Sequence, residues 1–210
     1  MEPQRVLREG TNIDREFHFF NVIDANATAR GRGKLSDVVI SAKDCICVKG
    51  LESTAGSAIL KGYKPVFDAT VVEKVRNEGA LIIGKTSQDE FGFGSFCVNV
   101  GVGFKVPLNP HDKERSCGGS SGGAAGFTAK APFRHIALAE STGGSIVCPA
   151  SFCGVVGLCP TYGRVSRYGL MDYANSLDKI GVMATTMEDI ALAMEIISGY
   201  DPKDSTSLDQ

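Results

Sequence analysis

Residues 136–145 read Ile-Ala-Leu-Ala-Glu-Ser-Thr-Gly-Gly-Ser. A short apolar run that gives way at once to small residues predicts a buried strand ending in a tight turn. Three more runs of the same kind flank it. Val38-Val39-Ile40 ends at Ala42-Lys43 and puts Lys43 at the end of a strand. Residues 80–83, Ala-Leu-Ile-Ile, form another, and residues 155–158 a fourth. Helical signals lie between them. Asp68 can cap a helix running through Asn77, with Gly79 as its stop. A helix of small residues should begin in the Gly-Gly-Ser-Ser-Gly-Gly run at 118–123 and continue to about Lys130. Thr186 and Asp189 fit a relaxed capping box, Ile190, Met194 and Ile197 follow at helical spacing, and Gly199 closes the segment. Strands alternating with helices predict an α/β layered fold.

With 210 residues, 43% of them hydrophobic and 22% charged, the chain suits one domain spanning 1–210. Its net charge of -2 gives no electrostatic reason to expect nucleic acid as a direct ligand. The first twenty residues mix charges throughout and hold no apolar core of signal-peptide length. No stretch approaches the length that spans a bilayer, so the expectation is a cytoplasmic protein without a membrane partner. Residues 27–35, ATARGRGKL, read as an exposed basic loop. Seven cysteines (Cys45, Cys47, Cys97, Cys117, Cys148, Cys153 and Cys159) are odd in number and contain no CxxC pair. Free thiols acting as small hydrophobes are expected, without a metal.

The Gly-rich runs are poor nucleotide sites. Ala124-Ala125 stand where a phosphate-binding loop needs Lys-Ser/Thr, and the pairs Gly92/Gly94 and Gly101/Gly103 lack a third glycine in register. The run ending at Ser145 suits another chemistry. Small residues before a serine let the backbone approach a substrate and aim amides at one point, where they stabilise a tetrahedral oxyanion. A nucleophilic serine needs a base. His135 stands ten residues before Ser145, and the intervening strand carries it to the far end of the sheet, while His18 and His111 lie in charged or Pro-flanked segments. A lysine serves instead if desolvation lowers its pKa from about 10.4 toward neutrality, a change of roughly three units or about 4 kcal/mol. Lys43 is the lysine best placed for burial. Taken alone, a surface lysine at a strand end is the plainer reading of that run.

Three segments in order resemble the amidase-signature family. SAKDCICVKG at 41–50 is similar to its lysine segment, CGGSSGGAAG at 117–126 to its Gly/Ser segment, and STGGSIVCPASFCGVVGLCPT at 141–161 to its nucleophile segment. The resemblance implies an amidase-signature fold: a mixed β-sheet core flanked by helices. It makes Ser145 the nucleophile, Ser120 a proton relay held after a cis peptide bond, and Lys43 the base. The amides of Thr142, Gly143, Gly144 and Ser145 become the oxyanion hole. No cofactor is implied within this chain.

TSQDEFGFGS at 86–95, PTYGRVSRYGL at 160–170 and NSLDKIG at 175–181 look most like the glutamine-hydrolysing amidotransferase members of that family. Such members supply ammonia to amidate Glu-tRNA(Gln) or Asp-tRNA(Asn). That likeness implies GatB- and GatC-like partner subunits, tRNA held mainly by the partners, and ATP and Mg²⁺ bound by one of those partners. A free-standing amidase of the same family and a catalytically incomplete assembly piece are the alternatives. The sequence also departs from the family. Ser141 replaces the usual Asp before Thr-Gly-Gly-Ser, with Glu140 adjacent, and Val147 replaces the usual Arg after Ser-Ile. Ser120 and Ser145 are one residue further apart than the family pattern leads us to expect. Family enzymes run about twice as far, so the expectation is a fold truncated on its C-terminal side, with a second chain as one way to complete it.

Overall fold

The computed structural model describes residues 2–29 and 32–209. A six-stranded mixed sheet forms its centre. Its strands are β1 (Phe20–Ile23), β2 (Val39–Lys43), β3 (Leu81–Thr86), β4 (His135–Ser141), β5 (Val156–Leu158) and β6 (Lys179–Ala184). Their order across the sheet is β1-β3-β2-β4-β6-β5. The central three, β3, β2 and β4, run parallel, and β1, β6 and β5 pair antiparallel outside them. Helices α1 (Pro3–Phe17), α2 (Thr70–Asn77), α3 (Gly122–Lys130), α4 (Val147–Cys153) and α5 (Met187–Ile197) cover the two faces. The expected α/β fold with a mixed sheet flanked by helices is the fold observed.

Strand alternation divides the core in two. Ile136 and Leu138 of β4, with Ile40 and Ala42 of β2, pack toward Val71, Val72 and Val75 of α2 and Ile190, Ala193 and Ile197 of α5. Ala137 and Ala139, with Val39, Leu81 and Ile83, pack toward Val6 of α1 and Ala124, Ala125 and Phe127 of α3. Burial on both faces explains why the strands read as continuous apolar runs. The parallel strands β2 and β4 both deliver their C-terminal ends to one edge, where Lys43 and residues 140–145 lie.

Several expectations need correction. The N-terminal segment forms α1, which its mixed charges conceal. Only Val6, Gly10 and Phe17 of this helix are buried, at i, i+4 and i+11, so the apolar stripe is thin. Strand β6 was not expected either. Asp68 is not the cap of α2. Ala69 occupies that position without a side-chain bond, and Asp68 instead accepts from the Lys49 amide at 2.7 Å and pairs with Arg76. Thr186 does cap α5, accepting from the Asp189 amide. Within the expected basic loop, Arg30 and Gly31 lie outside the described residues. The others are exposed except Ala27 and Leu35.

The small residues of α3 let it lie against backbone. A Cβ on Gly123 would stand 2.4 Å from the Phe19 carbonyl oxygen and 2.7 Å from the Ser87 amide nitrogen. Gly123→Ala should therefore destabilise the chain by about 1–3 kcal/mol through overpacking, read as a lower urea midpoint. Gly143→Ala, where a Cβ meets nothing within 4 Å, is the control. Equal midpoints for the two variants would show that α3 has room to shift.

Candidate active site

Lys43 closes β2 with its side chain fully buried. Nζ donates to Ser120 Oγ at 2.7 Å, to Glu140 Oε2 at 2.7 Å and to the Glu140 carbonyl at 3.1 Å. Three N–H donors thus meet three acceptors, the complement of an ammonium. Ser120 reaches this point on the segment that precedes α3. The Gly119–Ser120 bond is cis, as the resemblance implied. Ser120 is fully buried, and Ser121 Oγ donates to the same Glu140 carbonyl at 3.1 Å.

Residues 86–95 frame this arrangement, and sequence reasoning used them only for resemblance. Gln88 Oε1 accepts from the Cys45 amide at 2.8 Å, while Gln88 Nε2 donates to the Ala55 and Asp89 carbonyls. The Asp89 carboxylate accepts from the amides of Cys97 and Asn99. The Asp89 amide donates to the Ser120 carbonyl at 3.2 Å, and the Gly119 amide to the Ser95 carbonyl at 2.9 Å. A Cβ on Gly119 would stand 2.3 Å from Asp89 Oδ2, so glycine permits the approach.

Ser145 lies on the turn from β4 into α4 and is half-buried, while Gly143 and Gly144 are exposed. No acceptor among the described residues takes the amides of Thr142, Gly143, Gly144 or Ser145. The Gly144 carbonyl accepts from the Cys148 amide and starts α4. The structure therefore joins Lys43 to Ser120. It makes no hydrogen bond between Ser120 and Ser145, whose hydroxyl bonds to none of the described residues. Thr142 Oγ1 stands 3.0 Å from Glu140 Oε1 and 2.5 Å from Asp178 Oδ1. With one hydroxyl proton it donates to one carboxylate at a time.

The electrostatics of Lys43 run opposite to the sequence expectation. Burial works against the ammonium, but the Glu140 carboxylate outweighs it and raises the pKa above the ordinary lysine value. Glu140 stood in the sequence as a mere neighbour of the departure at Ser141. An acidic residue in a run otherwise apolar and small was the available signal. The histidines lie elsewhere. His135, first in β4, contacts Thr128 Oγ1 and Ser41 Oγ. His111 Nε2 lies 2.9 Å from the Cys153 carbonyl, and His18 ends α1. All seven cysteines are free thiols. Among the described residues no group of three or more His, Cys, Asp and Glu is arranged to hold a metal, and no helix is long and apolar enough to cross a membrane.

A lysine bound to a buried serine thus lies at the strand edge that also carries a Gly-Gly-Ser turn whose amides bond to none of the described residues. The Amidase family model matches residues 20–210, and the chain belongs to that family. The glutamyl-tRNA(Gln) amidotransferase A-subunit of Methanococcoides burtonii is 56% identical over 180 residues, covering 85% of this chain and 37% of that protein. The crystal structure of the corresponding glutamyl-tRNA(Gln) amidotransferase A-subunit from Thermotoga maritima superimposes with a TM-score of 0.91 at 40% identity, covering 98% of this chain and 46% of that one. The peptide amidase of Stenotrophomonas maltophilia gives a TM-score of 0.88 at 31% identity, covering 97% and 45%. The chain thus spans less than half the length of each of these relatives.

His135 provides a test of its structural role. Burial pushes its pKa down from the ordinary value to about 3. Below about pH 6.5 the unfolded chain binds a proton that the folded chain refuses. Stability is fully present above that pH and falls as pH drops toward 3, by up to about 1.4 kcal/mol per unit. Urea midpoints of the parent and His135→Gln, followed from pH 7 to pH 4.5, should converge as that contribution fades. Parallel curves would mean that His135 titrates normally.

Proposed function

We propose that this chain carries the glutamine-hydrolysing centre of an aminoacyl-tRNA amidotransferase, with Ser145 as nucleophile, Ser120 as relay and Lys43 as base. The observation that supports it most is the buried Lys43 Nζ–Ser120 Oγ bond of 2.7 Å at the strand edge that also carries the Gly143-Gly144-Ser145 turn. Ser145 Oγ attacks the side-chain amide carbon of glutamine. Its proton passes to Ser120 Oγ, and the proton of Ser120 passes to Lys43 Nζ, which must begin the step as an amine. The amides of Thr142, Gly143, Gly144 and Ser145 hold the tetrahedral oxyanion. Collapse returns a proton to the leaving nitrogen, frees ammonia and leaves a glutamyl ester on Ser145. Water, deprotonated through the same relay, then releases glutamate.

In this reading GatB- and GatC-like subunits complete the assembly, and ATP and Mg²⁺ bind to the partner that activates Glu-tRNA(Gln) or Asp-tRNA(Asn). The partners hold the tRNA, in keeping with the net charge of -2 on this chain. The names of the amidotransferase relatives support this choice. Similarity to a peptide amidase supports a second reading, hydrolysis of an amide without partners.

Ammonia release from glutamine, by the chain alone and mixed with GatB- and GatC-like subunits, separates the two readings. Ser145→Ala should lower release on the order of 10³-fold or more. Release that survives this substitution would remove Ser145 from the chemistry. Faster cleavage of a peptide amide than of glutamine, without partners, would favour the second reading.

A further inference from the structure

The relay needs Lys43 as an amine, yet its surroundings are those of an ammonium. Every N–H of Nζ has an acceptor, and one acceptor is the Glu140 carboxylate at 2.7 Å, with the lysine fully buried and the carboxylate 3% exposed. The groups on the other sides of Lys43 carry no competing charge. Cys45 lies in the turn just after β2, and burial raises its thiol well above the ordinary range. Cys97, on the loop tied to Asp89, is pushed up to about 12. Both remain neutral near physiological pH. Thr86 stands opposite Lys43 in β3. Lys85 and Asp44 pair with each other at 3.4 Å, and the Asp89 carboxylate is taken up by two backbone amides. Among the described residues Glu140 is therefore the one charged group in contact with Lys43.

We propose that Glu140 is a positioning residue that governs when Lys43 acts as a base: its carboxylate pins Lys43 as an ammonium against Ser120, and the relay opens only as that proton is lost at alkaline pH. The step is a single proton transfer from Nζ to solvent hydroxide, leaving an amine beside a carboxylate. Glu140 acts through Lys43 and touches no reacting atom. Its catalytic meaning rests on Lys43 being the base, but its effect on the proton of Lys43 does not.

The test is a direct titration of Lys43 in the purified chain labelled with ¹⁵N-lysine. The Nζ resonance is assigned by its absence in Lys43→Met. In the parent it should hold the ammonium position from about pH 6 to about pH 10. In Glu140→Gln the midpoint should fall by about 1–3 pH units, because a buried ammonium that loses its carboxylate favours the amine. Glu140→Thr should do the same, and Glu140→Asp should restore the parent midpoint. A parent Lys43 that is already an amine near neutral pH overturns the proposal, and that measurement needs no variant to fold. A midpoint unchanged in both neutral variants overturns it too. Labelling of Ser145 by an alkyl fluorophosphonate, with Ser145→Ala as the blank, reads the relay separately. The pH of half-maximal labelling should fall together with the Nζ midpoint in Glu140→Gln. If the midpoint moves and Ser145 is never labelled, control of the proton by Glu140 stands and the serine reading of the site fails.

Discussion

A fully buried lysine must be matched where it stands, because an ammonium without acceptors is far too costly in a dry interior. Lys43 is matched by β4 through Glu140 and by the segment before α3 through Ser120. That requirement fixes three separate stretches of chain against one nitrogen. It holds the end of β4 beside the end of β2, holds Ser120 under the strand edge, and so determines where the turn at Ser145 leaves the sheet. The matching contacts depend in turn on Asp89, Gln88 and the close approach at Gly119.

A second buried lysine shows that residue types alone do not make a site. Lys85, adjacent in the sheet, donates to Ser53 Oγ at 2.7 Å and to the Asp44 carbonyl at 3.0 Å. It too is fully buried beside a serine and a carboxylate. Yet burial lowers its pKa, while that of Lys43 is raised. The difference lies in the carboxylates. Asp44 stands 3.4 Å away and already accepts from Gly56, Asn21 and both the amide and the hydroxyl of Thr54. Glu140 stands 2.7 Å from Lys43 with that oxygen aimed at Nζ. Ser53 is fully buried, and the amides of Ser53, Thr54, Ala55 and Gly56 are all taken up, so the Lys85 pair ties a loop to the sheet.

Much of this was legible in the sequence where a side-chain period or a motif spoke directly. Residues 136–139 and 80–83 read as buried strands because helices cover both of their faces. The helix after Thr186 was legible because its cap and its apolar spacing agree. Helix α1 was not, because Gly10 replaces an apolar residue on its buried stripe and allows contact with Ile83. Strand β6 was hidden by Gly181 and by the charged residues that lead into it. In the site, motif order brought Lys43 and Ser120 to the same place, but the charge state of Lys43 was not readable from its own segment. That state depends on a contact 97 residues away in sequence, and only the pairing of β2 with β4 creates it.

The site also divides into a dry side and an open side. Lys43, Ser120 and Glu140 lie under the strand edge almost without solvent, whereas Gly143 and Gly144 are exposed and Ser145 is half-buried. Hydrogen bonds to a developing oxyanion are weak while water competes for the same amides, and they strengthen when a bound substrate displaces it. Those amides bond to none of the described residues, so in the proposed reaction a substrate carbonyl would break no internal bond there. Covering the turn also brings the Ser145 hydroxyl under the low-dielectric conditions in which Lys43 and Ser120 already stand.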